Sequence, residues 1–282
     1  MATIEENLNK AARALSDADA VMITAGAGIG VDSGLPDFRG NEGFWKAYPP
    51  IAKLGISFSQ MANPQWFETD PELAWAFYGH RLSLYRNTSP HDGFFKLLEI
   101  VQKKQGSYFI FTSNVDGQFQ KAGFDTEKIM ECHGSIHHFQ CANPCGSAIW
   151  DASQVDVEVD ENAFRAIPPL PRCIHCTSLA RPNILMFGDW DWISHRTDSQ
   201  GARLSSWLNE VSAKKMKLAI VEMGAGNAVP TVRMQSEQVA RMHKGLLIRI
   251  NPRDYFVPSG HISAPLGSEE GIGKIYELMD EK

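Results

Sequence analysis

The chain alternates short, largely apolar runs with longer stretches in which apolar residues recur every three or four positions. Short apolar runs are typical of strands that are buried on both faces of a parallel sheet. They predict strands at residues 20–24, 108–112, 218–222 and 246–250. The helical spacing predicts helices at residues 4–15, 72–85 and 93–104. Strands that alternate with helices predict an α/β fold built on a Rossmann-like open parallel sheet.

One region interrupts this alternation. Between about residues 141 and 182 the chain carries paired cysteines, an acidic run at 156–161 and a proline-rich turn at 167–171. We therefore interpret it as part of a smaller inserted domain, helical in one part and zinc-binding in another. The predicted division is a Rossmann-like domain formed by 1–47, 106–136 and 212–282, a helical insertion at 48–105 and a zinc-binding module at 137–190.

Composition narrows the class of protein. With 282 residues, 43% hydrophobic content and a formal charge of −6, the chain is typical of a globular protein without a basic patch, so no nucleic-acid partner is expected. Its most apolar segments are shorter than the roughly 20 residues that cross a bilayer, so no membrane partner is expected either. The N-terminal stretch has early glutamates and helical spacing, which favours a helix over a secretory signal. We expect a cytoplasmic protein.

The cysteines predict a metal site. Four of the five form two close pairs, and two such pairs can place four thiolates around a tetrahedral Zn²⁺. The predicted ligands are Cys141, Cys145, Cys173 and Cys176. A closed shell of this kind leaves no position for water, so the ion would stabilise the module and take no part in chemistry. Three histidines remain alternative ligands: His137, His138 and His175. Cys132, the fifth cysteine, is either a reactive thiol or a packing residue.

Polar and glycine-rich segments follow the predicted strands: TAGAGIG, TSNVDG, EMGAGN and INPR. Ligands of open α/β sheets bind outside the carboxyl ends of the strands, so these segments should converge on one crevice. The glycines from Gly26 to Gly30 permit a tight turn and a close approach of backbone N–H groups to a pyrophosphate. Their spacing differs from G-x-G-x-x-G, and a tight turn without a ligand remains the alternative.

Residues 24–40 read TAGAGIGVDSGLPDFRG, which closely resembles a motif of the sirtuin family. The resemblance implies that the glycine turn holds the phosphates of NAD. It also implies that Phe38 covers the reactive face of the ribose and that Arg39 steers the pyrophosphate and the nicotinamide end. The residues of this motif that we assign to the cofactor are Gly26, Ala27, Gly28, Asp37, Phe38 and Arg39.

Two further segments match sirtuin motifs in order: 112–116 (TSNVD) and 131–135 (ECHGS). Cleaving an N-glycosidic bond requires recognition of the leaving carboxamide, anchors for the ribose hydroxyls and a base. Asp116, Asn114 and His133 supply these in turn, and Ser113 joins them as a cofactor-binding residue. By resemblance, the acyl oxygen of a modified lysine attacks C1′, nicotinamide leaves, His133 deprotonates a ribose hydroxyl and O-acyl-ADP-ribose results. A structural histidine is the alternative for His133.

Weaker matches extend the resemblance towards the C-terminus. Gly224, Gly226 and Asn227 resemble the turn that meets the adenosine half of NAD, and Asn251 ends a strand where the family places an asparagine on the adenine ribose. Glycines and asparagines at strand ends are also common turn formers, which is the alternative.

The acyl-lysine site is predicted from two segments. Met186, Phe187 and Gly188 resemble the segment that clamps the substrate peptide by strand addition. Residues 189–192 (DWDW) then replace a common glutamate. Bulky indoles that narrowed an acyl-lysine channel would favour a glycohydrolase or ADP-ribosyltransferase instead.

Tyr78 and Arg81, three apart on a predicted helix, resemble the pair that receives the distal carboxylate in sirtuins that remove succinyl and malonyl groups. The alternative is an arginine bound to Asp70 or Glu72.

The predicted function is therefore an NAD-dependent protein lysine deacylase, active on acetyl groups and, as a further option, on succinyl or malonyl groups. The rivals are an NAD glycohydrolase or ADP-ribosyltransferase, and a non-catalytic NAD-sensing module. Several positions depart from the family pattern: Gly30, Ser113, Phe119 and the three-residue spacing of the first cysteine pair.

Overall fold

The computed structural model describes residues 3–37, 40–104 and 107–280. In chain order its strands are β1 (Ala20–Ala25), β2 (Tyr108–Thr112), β3 (Ile129–Glu131), β4 (Gly134–Cys141), β5 (Ile149–Asp151), β6 (Val159–Asp160), β7 (Arg165–Ala166), β8 (Ala180–Ile184), β9 (Leu218–Met223), β10 (Leu246–Ile250) and β11 (Ile262–Ala264). Its α-helices are α1 (Ile4–Asp17), α2 (Gly40–Ala47), α3 (Pro49–Lys53), α4 (Phe58–Met61), α5 (Trp66–Thr69), α6 (Pro71–Asn87), α7 (Asp92–Gln102), α8 (Gln118–Lys121), α9 (His195–Ala213), α10 (Thr231–His243) and α11 (Ser268–Asp280). Short 3₁₀ helices lie at Ala27–Ser33 and Thr126–Lys128.

The largest sheet is parallel, with the strand order β11-β10-β9-β1-β2-β3. Its four longest strands are the four predicted from the sequence, so the α/β prediction is confirmed. The edge strands β3 and β11 were not predicted, because an apolar pattern over three residues is too short to distinguish from a loop. Since β1 lies at the centre, the crevice outside its carboxyl end is bounded by neighbours on both sides.

Helices cover both faces of this sheet. Along β1, Val21 and Ile23 face a core that includes residues of α1, α7 and α11, while Ala20 and Met22 face a second core with residues of α9 and α10. This alternation follows from the two-residue period of a strand. The helix α7 lies within the predicted insertion 48–105, yet its apolar face packs in the first of these cores, because Phe94 and Leu97 are spaced to point towards the sheet.

A further core belongs to the smaller part of the molecule. Helices α2 to α6 pack there against an antiparallel sheet of order β5-β4-β8, and its centre includes the fully buried side chains of Trp75, Phe77 and Phe139. The indole of Trp75 donates to the carbonyl of Ala180 at 3.0 Å, which ties α6 to β8. Among the described residues, none of the helices combines the length and the apolar composition that crossing a bilayer requires.

Candidate functional site

Two glycine turns, one after β1 and one after β9, press against each other at the centre of the sheet edge. The Gly28 N–H donates to the Gly224 carbonyl at 3.0 Å, and a Cβ built on Gly26 would lie 2.8 Å from that oxygen. Gly224 has a φ of +61°, and a Cβ there would lie 2.1 Å from the nitrogen of Ile29. A side chain at Gly26 or Gly224 would therefore push the turns apart. Ala27 and Gly28 stay partly exposed above this contact.

Hydrogen bonds continue from these turns to the end of β2. The Ser113 N–H donates to the Ala25 carbonyl at 3.1 Å, and the Asn114 side-chain amide donates to the Gly26 carbonyl at 3.2 Å. The Asn114 N–H in turn donates to Thr112 Oγ1 at 3.0 Å. Asn114 is thus buried and held in one orientation beside the first glycine turn.

His133 follows β3 and is half-buried beside Ser113. Burial lowers the pKa of His133, against the raising effect of a hydrogen bond with the Ser113 backbone. The imidazole is therefore neutral near pH 7 and able to accept a proton. Gly134, with φ +79°, lies so close to β8 that a Cβ would come within 2.1 Å of the Asn183 carbonyl oxygen. The smaller sheet therefore begins at the residue that follows His133, with β4 and β8 in close backbone contact there.

Asp116 is 8% exposed and accepts a hydrogen bond from the Gln118 N–H at 2.9 Å. Burial raises its pKa to about 6, and the negative charge of Glu131 adds to the rise, while the Gln118 hydrogen bond and the positive charge of Arg81 oppose it. The backbone carbonyl of Asp116 also meets a ring nitrogen of His137 at 2.8 Å. Asp116 is therefore a buried carboxyl with a perturbed pKa at a strand end, as functional carboxyls often are.

The adenosine side of the predicted site lies after β9 and β10. The Asn251 side-chain amide donates to the Ala225 carbonyl at 2.8 Å, and its oxygen accepts from two backbone N–H groups, those of Arg253 and Asp254. These bonds give Asn251 a turn-forming role, whatever else it does. Asn227 is exposed and donates to the Asp254 carboxylate, and Gly226 is partly exposed beside it.

Of the remaining residues of the first motif, the structure describes Asp37. Phe38 and Arg39 lie outside the described residues. Asp37 lies within them and pairs with Arg253 at 3.2 Å, so the first motif contacts the loop that carries Asn251. Sequence reasoning did not single out Arg253, since one arginine in a loop has no distinguishing pattern.

Tyr78 and Arg81 are both buried on α6. The Arg81 guanidinium donates to the Tyr85 hydroxyl from Nη2 at 2.8 Å and from Nε at 3.1 Å. The Tyr78 hydroxyl is buried and, in the described part of the chain, has no hydrogen-bond partner. Tyr85 was not predicted, although its i, i+4 spacing from Arg81 is a signal that the sequence offered.

Asp70, an alternative partner of Arg81, is engaged with another arginine. The carboxylate of Asp70 forms an ion pair with Arg165, on β7. This contact ties α6 to β7 and leaves Asp70 engaged away from the guanidinium. Asp70, one of the two acids named as alternative partners of Arg81, thus pairs with a different arginine.

The segment after β8 has a different construction from the one expected. The side chain of Asp189 is fully buried and forms a two-pronged ion pair with Arg181, at 2.6 and 2.8 Å. Met186 is buried, while Leu185 and Phe187 are exposed. Trp190 is 95% exposed, so its indole does not narrow a channel. The side chain of Asp189 points into the interior, and that of Trp190, the next residue, points into solvent.

The four predicted cysteines come together. Their sulfur atoms all lie within 4.8 Å of one another, with Cys141 3.6 Å from Cys176 and Cys145 3.7 Å from Cys173. Zn–S bonds of about 2.3 Å in a tetrahedron separate the sulfurs by about 3.8 Å, so the group fits Zn²⁺. Within the described ranges this group is all cysteine, and none of the three alternative histidines belongs to it.

Cys132 lies next to His133, in surroundings that disfavour its thiolate. Burial raises the pKa of Cys132 to about 12. Only the thiolate of a cysteine reacts readily, and a raised pKa suppresses it at neutral pH. Of the two interpretations of Cys132, packing is the one that its surroundings favour.

A cavity of about 970 Å³ opens beside Asp116, between α8, α9 and the smaller sheet. Of the predicted catalytic residues only Asp116 lines it, and its lining also includes Lys121, His138, Arg196 and Arg203. No sequence motif signalled this cavity, because its walls come from distant segments that the fold brings together.

Comparison with known proteins agrees with the geometry. The family model described as the Sir2 family matches residues 26–199. An NAD-dependent protein deacylase of Leptospira interrogans serovar Lai is 30% identical over 235 residues, which cover 82% of this chain and 81% of that protein. A protein of the same name from Thermus thermophilus is 28% identical over 272 residues, covering 95% of this chain and 93% of that protein.

Solved structures match over the same length. The crystal structure of a Sir2 homolog–NAD complex aligns with a TM-score of 0.70 at 25% identity, covering 96% of this chain and 93% of that chain. A mutant Sir2 homologue in complex with ADP-ribose aligns with a TM-score of 0.73 at 24% identity, covering 96% of both chains. These matches define the class as an α/β protein with a Rossmann-like sheet. The chain belongs to the Sir2, or sirtuin, family, as its motifs predicted.

Proposed function

We propose that the protein is an NAD-dependent protein lysine deacylase, which transfers an acyl group from lysine to ADP-ribose and releases nicotinamide. One observation carries the proposal: Asn114, Asp116 and His133 follow neighbouring parallel strands at the edge that also holds both glycine turns. The names of the relatives point to the same activity.

The chemistry of this edge fits a dinucleotide. The two interlocked turns offer backbone without bulky side chains, which suits the close approach of a pyrophosphate. Asn114 and Asp116 lie beyond them with fixed orientations, and Asn251 lies on the other side. We assign the phosphates to Gly26, Ala27 and Gly28, the adenosine half to Gly224, Gly226, Asn227 and Asn251, and the nicotinamide riboside half to Ser113, Asn114, Asp116 and His133. When bound, NAD supplies the ribose carbon to which the acyl oxygen is transferred.

His133 acts as the base in this proposal. Burial lowers the pKa of His133, so the ring is already deprotonated at neutral pH and can take a proton from a ribose hydroxyl. The hydrogen bond with the Ser113 backbone orients the ring, because Ser113 is itself held to β1. Cys141, Cys145, Cys173 and Cys176 would hold Zn²⁺ in a closed shell that stiffens the smaller sheet.

We propose Met186, Phe187 and Gly188 as the peptide-clamping segment and Tyr78 with Arg81 as the acyl-recognition pair. The buried Tyr78 hydroxyl supports the second assignment, because a buried donor without a partner is stabilised by a ligand acceptor. If the pair receives a distal carboxylate, Arg81→Met reduces kcat/KM for a succinyl-lysine peptide at least tenfold more than for the acetyl-lysine peptide. Equal losses on both peptides contradict this acyl specificity.

The activity is tested by mass analysis of the products from NAD and acetyl-, succinyl- and long-chain acyl-lysine peptides. We expect O-acyl-ADP-ribose, nicotinamide and free lysine peptide, and no product from His133→Ala. His243→Ala, which removes a surface histidine bonded to Ser212, is the matched control and keeps activity. Nicotinamide release from NAD without an acyl-peptide would instead identify a glycohydrolase, and tight NAD binding without turnover would identify a sensing module.

A further inference from the structure

The turn after β8 places large apolar side chains in water. Leu185, Phe187 and Trp190 are all exposed, and Trp190 is the most exposed large apolar side chain in the described part of the protein. Grouped apolar exposure of this kind marks interaction surfaces on globular proteins. A tryptophan on such a surface is the side chain that most often anchors a bound partner.

The turn that carries Trp190 is rigid. Beneath it, the buried Asp189 carboxylate binds Arg181 and also accepts from the backbone N–H groups of Met186 at 3.3 Å and Asp191 at 3.2 Å. The Gln140 side-chain amide donates to the Asp191 carbonyl at 2.9 Å. Trp190 lies between backbone groups that are fixed on both sides, so its exposure is built into the fold and binding need not order the backbone there.

This turn begins at the proposed catalytic site. The Leu185 N–H donates to the His133 carbonyl at 2.9 Å, and the Phe187 N–H donates to the Ala62 carbonyl at 2.9 Å. The Phe187 ring packs edge-on against Phe58, at a centroid distance of 6.1 Å. The turn therefore starts at a backbone contact with the residue that carries the imidazole. A polypeptide that presents an acyl-lysine to His133 would pass along it.

The charge of the turn selects the kind of side chain that fits. Residues 185–193 (LMFGDWDWI) include two acids and no base. Asp189 is neutralised by Arg181, whereas Asp191, the residue that follows Trp190 in the chain, is exposed. An exposed indole and a neighbouring carboxylate can together bind a lysine or arginine side chain. The indole face attracts the cation through a cation–π interaction, and the carboxylate attracts it by charge.

We propose that Trp190 and Asp191 form a subsite for a basic side chain beside the acyl-lysine of the polypeptide substrate. The subsite rests on the proposed deacylase function, because that function supplies the substrate. It makes Trp190 and Asp191 determinants of sequence preference, with no part in the chemistry. Substituting Trp190 or Asp191 should therefore weaken peptide binding and raise KM, while kcat stays unchanged.

Two acetyl-lysine peptides that differ only in one neighbouring residue, arginine or glutamate, test the subsite. Each is measured for binding by calorimetry without NAD and for turnover with NAD, alongside acetyl-lysine with blocked ends as a substrate without neighbours. We expect the arginine peptide to bind about tenfold more tightly to the unmodified protein. Trp190→Ala should abolish the difference, Trp190→Phe retain part of it and Asp191→Asn reduce it about threefold. Phe95→Ala, which removes an exposed aromatic on α7, is the control and should leave the difference intact.

The two measurements separate this proposal from the deacylase function. Trp190-dependent binding of the arginine peptide without turnover supports the subsite and defeats the deacylase. Turnover with the same arginine preference in Trp190→Ala overturns the subsite and leaves the deacylase intact. A dimer that dissociates on Trp190→Ala, with unchanged peptide affinity, also overturns it and assigns the indole to a contact between copies. If Trp190→Ala loses activity on the blocked acetyl-lysine, this variant is misfolded. The arginine preference of Trp190→Phe then tests the subsite in its place.

Discussion

Asp116→Asn should make the protein more stable at neutral pH while removing its activity. The carboxyl of Asp116 is buried, and burial raises its pKa to about 6 from an ordinary value of 3.8. Because the folded state binds this proton more tightly than the unfolded state, stability falls as pH rises from about 4 to about 6 and stays lower above that range. The difference corresponds to about 3 kcal/mol of unfolding free energy at pH 7.5, as an upper value.

Asparagine removes this charge and keeps the shape. Its side-chain oxygen can still accept the Gln118 N–H that Asp116 accepts at 2.9 Å. The expected gain of up to about 3 kcal/mol raises Tm by about 5 °C at pH 7.5 and by almost nothing at pH 4. Thermal unfolding followed by circular dichroism at both pH values measures it, and NAD consumption with an acyl-peptide measures the activity.

Asp151→Asn is the matched control of opposite sign. A hydrogen bond from the Ser153 hydroxyl lowers the pKa of Asp151, so losing this charge should lower stability at neutral pH. The reasoning is refuted if Asp116→Asn is less stable than the unmodified protein at pH 7.5, or if its gain is the same at pH 4. The account is supported if Asp116→Asn is inactive and if its gain in stability at pH 7.5 vanishes at pH 4. Asp116 is then a functional carboxyl that lowers the stability of the folded protein.

The remaining predictions concern the base, the metal and the buried ion pair. Because burial lowers the pKa of His133 and raises that of Asp116 to about 6, kcat/KM should be nearly constant from pH 8 to about 7 and fall to about half near pH 6; a half-maximal point at or above pH 7 contradicts this. Cys173→Ser should remove about one equivalent of zinc, measured by elemental analysis, and lower Tm, while Cys132→Ala should keep the metal; equal metal content in both would refute the four-cysteine site. Arg181→Met should cost about 3–5 kcal/mol in urea unfolding, because it leaves Asp189 buried and unpaired, and adding Asp189→Leu should recover part of the loss; a double variant less stable than the single one would oppose this account.

Strand positions and the cysteine site were predictable because each depends on a local pattern. The runs at 20–24, 108–112, 218–222 and 246–250 are buried on both faces, so their apolar character is continuous. The spacing of the two cysteine pairs was enough to predict a four-cysteine metal site. The meeting of the four sulfurs, from β4 and from the loops that precede β5 and β8, then confirmed what the spacing indicated.

Long-range partners were not predictable, because a side chain's sequence neighbours do not determine what it contacts after folding. Asp189 stands where the family commonly has a glutamate, and no sequence pattern indicated that Arg181 would pair with it in the interior. A channel narrowed by the Trp190 indole was the basis of a rival interpretation, but the anchored turn points this side chain outward. The contact of Arg81 with Tyr85 is a different case: its i, i+4 spacing was visible in the sequence, whereas the burial of α6 that surrounds it was not.

The interlocked glycine turns have a consequence for the evolution and engineering of cofactor use. Gly26 and Gly224 lie far apart in the chain, yet an added methyl at either collides with the backbone of the opposite loop. Reshaping the crevice for a bulkier dinucleotide would thus need compensating changes in both loops at once. A single substitution at Gly26 or Gly224 should disrupt both turns and so would not produce binding of a different cofactor. Changes of cofactor preference should therefore come from residues around the two turns that do not contact the opposite loop.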